Sequence, residues 1–308
     1  VARVAIVTDS SCGIPADVLA QRGITPVSLY VSFPDGRVER ELDMDAEAFY
    51  AQLSDTEGLP TTAPPEVDDF IKAFEPLLAQ HESVVSVLFS SGMSETCNNA
   101  RQAVARLAEA GRGGERIVVV DSATGASPMG LLALAAADGA AAGEDAETIV
   151  KRVRAARQTL KNWMMLDTLE FLRRGGRIGG AAAWLGSRLQ VKPILTVESE
   201  IHAVERVRTT DRAFERLLEL AHRMHAAGAD LWTLQHAASQ QAADAFVERA
   251  QKIFHRPPVF TSQFGPVIGT HLGPGALMLA GIDPVWVEAG ASAWASSDVA
   301  GSPAASES

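Results

Sequence analysis

The sequence predicts an α/β protein of two domains: an N-terminal, mostly parallel sheet with flanking helices, then a C-terminal α/β domain whose sheet is mixed or antiparallel. Three observations lead there. The chain has 308 residues, 47% of them hydrophobic, enough to bury a core larger than one small domain needs. Short apolar runs alternate with amphipathic stretches through the first half, the pattern of strands joined by crossover helices. Near residues 155–162 that alternation changes character, which sets the domains at 1–157 and 158–283 and leaves a tail at 284–308.

Taken in order, residues 4–8 form an apolar run and a strand, and 15–22 a helix that opens on Pro15, a residue suited to a first turn. Residues 27–33 read as a second strand, 45–54 and 65–80 as helices, 84–89 as a strand, 94–110 as a long helix and 117–120 as a strand. Three of these strands run directly into small polar residues: Thr8-Asp9-Ser10-Ser11, Ser90-Ser91-Gly92 and Asp121-Ser122. In a parallel sheet those carboxyl ends share one edge, where open α/β folds bind ligands.

A helix at about 146–159 closes the first half. Strands are expected at 162–166, 194–198, 203–208, 231–236 and 259–264, with helices near 168–173, 180–189, 211–226 and 238–253. The tail is rich in Ala, Ser, Gly and Pro, so its last dozen residues are expected to be disordered, with Trp286 and Trp294 docking back onto the body. No internal repeat is visible.

Composition excludes several classes of function. A net charge of −11 disfavours a general nucleic-acid surface, although Arg173, Arg174 and Arg177 form a local basic cluster. No run approaches the roughly 20 apolar residues of a membrane span, and the N-terminus reads into a strand without a secretory pattern. A cytoplasmic protein is therefore expected; transient contact with a membrane surface is compatible with it. Cys12 and Cys97 cannot build a disulfide framework or a zinc site and read as buried small residues. His222 and His225 lie three apart on one helix, but no further ligand is placed to complete a metal site, so no metal is expected.

The familiar catalytic loops are missing. There is no GxxxxGK[ST] and no GxGxxG after a strand, and the five lysines offer no phosphate loop. Gly125-Ala126-Ser127-Pro128-Met129 begins like a hydrolase elbow but lacks its closing glycine. More informative are two hydroxyl clusters. Pro60-Thr61-Thr62-Ala63-Pro64-Pro65 reads as a proline-bounded loop before a helix, and Ser90-Ser91-Gly92-Met93-Ser94 joins a strand to the helix it feeds. Hydroxyls and free amides at helix N-termini bind carboxylates and phosphates; each cluster also admits a plainer reading as turn chemistry or N-capping.

A third segment, residues 265–275, surrounds His271 with four glycines and two prolines. That composition suggests a shaped surface around the imidazole instead of an extended helix. A tight strand-to-helix turn whose histidine caps a carbonyl is the other reading.

These segments occur in a recognisable order: Asp9-Ser10-Ser11, Pro60-Thr61-Thr62, Ser90-Ser91-Gly92-Met93-Ser94, Asp121-Ser122, Arg174-Gly175-Gly176-Arg177-Ile178, Lys192-Pro193-Ile194-Leu195, Val207-Arg208-Thr209 and Gly265-Pro266-Val267-Ile268-Gly269-Thr270-His271. In that order, over residues 3–282, the sequence resembles the DegV family of bacterial fatty acid-binding proteins. The resemblance implies a two-domain α/β protein that buries one long-chain fatty acid, with its carboxylate at the domain interface. It implies a separate fatty acid kinase as partner, bringing ATP and magnesium for acyl-phosphate formation and phospholipid synthesis; this chain would bring no cofactor of its own and would not be an enzyme alone. The positions matching the carboxylate site are Thr62, with Thr61 adjacent, the serine loop, with Ser94 ahead of Ser91, and His271. Arg177 and Arg208 match arginines tied to phosphoryl transfer and kinase docking, so His271, Arg177 and Arg208 are the residues expected to serve the reaction.

Two departures stand out against the family pattern. Ala63-Pro64-Pro65 replaces the usual Ser-Gln-Pro, and Glu95 replaces a usual glycine after Ser94. The first removes hydrogen-bond donors and the second adds negative charge near the head group. A lipid sensor without chemistry and a stand-alone acyl or phosphate ester hydrolase stay open as alternatives at this point.

Overall fold

The computed structural model describes residues 3–53, 58–184 and 191–287. The chain runs β1 (Val4–Asp9), α1 (Ala16–Gln21), β2 (Ile24–Val27), β3 (Tyr30–Ser32), β4 (Val38–Arg40), α2 (Ala46–Leu53), β5 (Thr61–Ala63), α3 (Val67–Leu78), β6 (Ser83–Leu88), α4 (Thr96–Glu109), β7 (Ile117–Asp121), α5 (Ala126–Ala141) and α6 (Ala146–Thr159). It continues with β8 (Lys161–Met165), α7 (Glu170–Arg174), β9 (Lys192–Glu198), β10 (Glu200–Val207), α8 (Thr210–Ala226), β11 (Leu231–His236), α9 (Gln240–Phe254), β12 (Thr261–Gln263), α10 (Pro266–Leu272) and β13 (Leu277–Ile282).

Strands β2-β1-β6-β7 form a fully parallel sheet. A second sheet, β10-β9-β8-β13-β11-β12, is antiparallel except for the β11–β12 pair. This α/β architecture, one parallel and one mixed sheet, is the expected fold class. Every residue of β1 is buried, which is why it reads as a continuous apolar run: a central parallel strand is covered on both faces. A small antiparallel sheet, β4-β3-β5, was not anticipated.

The layers follow from the helix faces. Phe70, Phe74 and Leu78 recur every four residues on α3 and are buried with Ala100, Ala103 and Leu107 of α4 against the outer face of the parallel sheet. A capping box between Glu66 and Asp69 starts α3. On the outer face of the second sheet, α8 and α9 bury Leu217, Leu220 and Phe246 around Trp232. Between the sheets lies α5, buried almost all round and packed against β1 and β6 on one side and β11 and β13 on the other. A helix covered on every side has no polar face to display, hence its alanine-rich sequence.

Several expectations need correction. Within residues 265–275 there is a helix, α10 (Pro266–Leu272): Pro266 occupies its first turn and Gly273, at φ 72°, ends it. The loop around Thr61 and Thr62 is instead strand β5, paired with β3 in the register Val31↔Thr62; two threonines between prolines are good edge-strand formers. The strand expected at 27–33 is two strands, β2 and β3, in different sheets. Strand β13, in the interior of the second sheet, was hidden beside Gly273-Pro274-Gly275. The helix expected at 180–189 is described only through Trp184, as a 3-10 segment, Gly179–Trp184; its remainder, Trp294 and most of the tail lie outside the described residues. Trp286 does pack on the core between the sheets. Among the described residues no helix is long and apolar enough to cross a membrane.

Candidate functional site

Both halves of the chain wall one mostly apolar cavity. Leu29, Phe89 and Met93 come from the first half, and Met164, Val197 and Met278 from the second sheet. About 850 Å3 inside it is free of protein atoms, the open solvent of its mouth included. Its polar walls are few: Ser11, Thr62, Ser94, Glu95, Arg177 and His271. A second, more polar cleft adjoins it, sharing Met93, Ser94, Glu95, Arg177 and Ile201 and adding Ser91 and Glu200.

Thr62 and His271, 209 positions apart, meet there, with Thr62 Oγ1 2.7 Å from His271 Nε2. Strand β5 supplies the threonine and α10 the histidine. Strand alternation turns Thr62 inward and Thr61 out; Thr61 is exposed and is not a wall of the cavity. Burial pulls the His271 imidazole down to about 4, and the Arg177 charge adds to that, so the ring is neutral near pH 7. Arg177 hydrogen-bonds backbone carbonyls, Gly175 at 2.8 Å and Met93 at 3.4 Å. Among the described residues no carboxylate pairs with it, so its charge is open to a ligand.

The serine loop divides by role. Ser94 Oγ faces both cavity and cleft and lies 2.8 Å from Thr96 Oγ1. Ser91 lines only the polar cleft, where its hydroxyl donates to Asp121. Ser90 is buried and donates to the carbonyl of Ser199 at 2.6 Å. Asp9 accepts from Phe89 N at 2.7 Å and from Ser11 Oγ at 2.5 Å. The carboxylates at the ends of β1 and β7 thus brace the loop. Arg208 is exposed beyond the end of edge strand β10 and walls neither space. Thr62, Ser94, Arg177 and His271 are therefore brought together, Ser91 lies next door, and Thr61 and Arg208 stand apart.

Sequence reasoning missed the support beneath α10. Gly265, Gly269 and Gly273 recur every four residues, and a methyl on each would strike, in turn, the Glu41 carboxylate, the Tyr50 hydroxyl and the Phe171 ring, at 2.4, 2.5 and 2.2 Å. Gly265 and Gly269 make room for side chains, while Gly273 both makes room and supplies the positive φ that ends the helix. Their spacing was the available signal; the partners, remote in sequence, gave none. Among the described residues no three His, Cys, Asp or Glu side chains are grouped to hold a metal. Cys12 and Cys97 are buried and free, as expected.

Residues 3–282 match the model of the DegV family, described as an uncharacterised protein family. Protein DegV of Bacillus subtilis is 32% identical over 280 residues, covering 89% of this chain and 97% of that protein. A DegV domain-containing protein of Listeria monocytogenes is 35% identical over 281 residues, 90% and 97% of the two chains. Among solved structures, DegV of Bacillus subtilis, described as a fatty acid binding protein, superposes with a TM-score of 0.82 at 32% identity over 92% of this chain and 100% of that one. A Thermus thermophilus family member described by its fatty acid binding gives 0.80 at 28% identity, over 91% and 99%.

Proposed function

Because this chain belongs to the DegV family, we propose that it binds a long-chain fatty acid in the cavity and presents the carboxylate to a separate ATP-dependent kinase. The observation that carries this is the Thr62–His271 pair set into a mostly apolar wall. The fatty acid binding described for the Bacillus subtilis and Thermus thermophilus structures supports it.

Chain burial supplies the affinity, at about 0.8 kcal/mol for each methylene removed from water. The carboxylate opposes burial by several kcal/mol unless donors meet it. Thr62, Ser94 and the Arg177 guanidinium are the donors at hand, and they fix which oxygen faces outward. In acyl-phosphate formation that oxygen attacks the γ-phosphorus of ATP, the new C–O–P linkage forms, and the bond to the ADP oxygen breaks. The Arg177 charge offsets negative charge gathering between acid and phosphate. Nucleotide and magnesium arrive with the kinase. Arg208, exposed, belongs to the docking face in this reading.

Extraction of the purified protein followed by mass spectrometry should find a long-chain fatty acid. Adding a fatty acid kinase and ATP should then give acyl phosphate, trapped by hydroxylamine. His271→Ala and Arg177→Ala should keep the acid bound at saturating lipid while slowing that product. Protein free of lipid and unable to take it up would overturn the binding reading; full turnover by both variants would overturn the residue roles.

A further inference from the structure

The second nitrogen of His271, Nδ1, is buried and has no hydrogen-bond partner. What lies against it is Gly175, at the end of α7. A methyl group built on Gly175 would stand 2.2 Å from Nδ1 and 2.8 Å from Cε1. The backbone there is ordinary, φ −74° and ψ −6°, so any residue could adopt it and the glycine is required for space alone. Its neighbour Gly176 is the reverse case: φ is +68° and nothing lies within 4 Å.

A neutral imidazole carries its proton on one nitrogen only. A proton on Nδ1 would be a buried donor without an acceptor, at a cost of about 1–3 kcal/mol. A lone pair on Nδ1 meets something better, because the direction a methyl would take from Gly175 is occupied in glycine by a Cα–H, a weak donor aimed at the nitrogen. The proton therefore sits on Nε2, where Thr62 Oγ1 accepts it at 2.7 Å. Thr62 Oγ1 has no other hydrogen-bond partner among the described residues, and the residue walls the cavity. With its oxygen already accepting from His271, its own hydrogen is left to point at a ligand.

We infer that Gly175 positions His271 as the Nε2–H tautomer, that Thr62 is thereby fixed as a donor toward the cavity, and that the pair selects a carboxylate over a neutral head group. The opposite tautomer would draw the Thr62 hydrogen onto Nε2 and turn oxygen lone pairs toward the acid, which itself has only lone pairs to offer. A primary alcohol can donate as well as accept and is far less sensitive to this polarity. The selectivity rests on the fatty acid reading; the tautomer does not.

Two measurements test it. In protein labelled with 15N-histidine, the His271 signals, identified by their loss in His271→Asn, should show Nδ1 unprotonated and Nε2 protonated at neutral pH; the reverse assignment, or an averaged one, overturns the inference. Binding is then compared for a long-chain saturated acid and the primary alcohol of equal length. Gly175→Ala should weaken the acid about tenfold and leave the alcohol within about twofold, while Gly176→Asn, a residue that tolerates positive φ, should change neither. Equal loss of both ligands in Gly175→Ala would mean a merely structural role. If that variant does not fold, Thr62→Ser should keep the selectivity and Thr62→Val lose it; equal behaviour of those two overturns the donor assignment. Failure of the wild type to bind either lipid would sink the fatty acid reading and the selectivity with it, leaving the tautomer to the NMR result.

Discussion

The Glu41 carboxylate accepts a hydrogen bond from the backbone N–H of Val267 at 2.9 Å and one from Ser10 Oγ at 2.5 Å. The helix that carries His271 thus begins on a side chain from the first half of the chain. Burial pushes the Glu41 carboxyl up to about 7, and its two donors only partly offset this. The folded state holds a proton that the unfolded chain releases near 4.5. This group's stabilisation is complete below that value and is lost as pH rises through 7. Glu41→Gln keeps the shape and can still accept from Val267, so urea unfolding should show a weaker decline in stability between about pH 5 and 8 than the wild type. An unchanged pH profile would count against a buried, proton-holding Glu41.

His271 has the opposite sign. Its pKa falls from 6.5 to about 4, so between those values the unfolded chain binds more protons and stability is lost as pH falls. Across about pH 4.5 to 6.5 His271 pulls against Glu41 and against Asp9, which burial raises to about 6, so it offsets part of the wild-type decline. His271→Asn removes one side of that balance. Stability should then decrease more steeply with rising pH in this window, by at most about 1.4 kcal/mol per pH unit, the weight of one proton. Urea midpoints taken every half unit would reveal a slope that fails to change.

How much of this was legible beforehand depended on whether the signal was local. The buried run of β1, the amphipathic faces of α3, α4 and α8, and the polar ends of β1, β6 and β7 are written in neighbouring residues, and the parallel sheet follows from them. Strand β13 and helix α10 were misread because glycine and proline are ambiguous on their own. In Gly265, Gly269 and Gly273 they mark space taken by Glu41, Tyr50 and Phe171, which no local pattern announces. The same limit holds at the site. Thr62, Ser94 and His271 stood out as hydroxyls and an imidazole in unusual segments, and the resemblance grouped them. That Thr61 faces away follows only once residues 61–63 are known to be a strand.

Within one serine loop, stability and ligand affinity should separate. Ser90 is buried and bonded to the carbonyl of Ser199, at the turn between β9 and β10, and a methyl on Gly92 would lie 2.6 Å from the same oxygen. Ser90→Ala should lower stability by about 1–2 kcal/mol and leave fatty acid affinity nearly unchanged. Ser94 faces the cavity and its hydroxyl has only local partners; Ser94→Ala should weaken acid binding several-fold with little effect on unfolding. Denaturation and lipid titration of both variants give the comparison, and matched effects in the two would remove the division of roles.

Glu95 is a carboxylate that walls the cavity beside Ser94. Asn98 Nδ2 donates to it at 3.0 Å, which steadies the side chain without cancelling its charge. A second carboxylate entering the cavity meets that field, and Arg177 is the nearby cation that answers it. Glu95→Gln should therefore strengthen binding of a long-chain acid by roughly two- to fivefold at low ionic strength, the scale of one partly screened charge. Added salt should shrink the gain, since it screens the repulsion that the substitution removes. The primary alcohol of equal length carries no charge and should be indifferent to both changes. An acid that binds the two proteins alike at low salt would place Glu95 out of electrostatic reach of the head group, and the mouth of the cavity would then have to be sought away from Ser94.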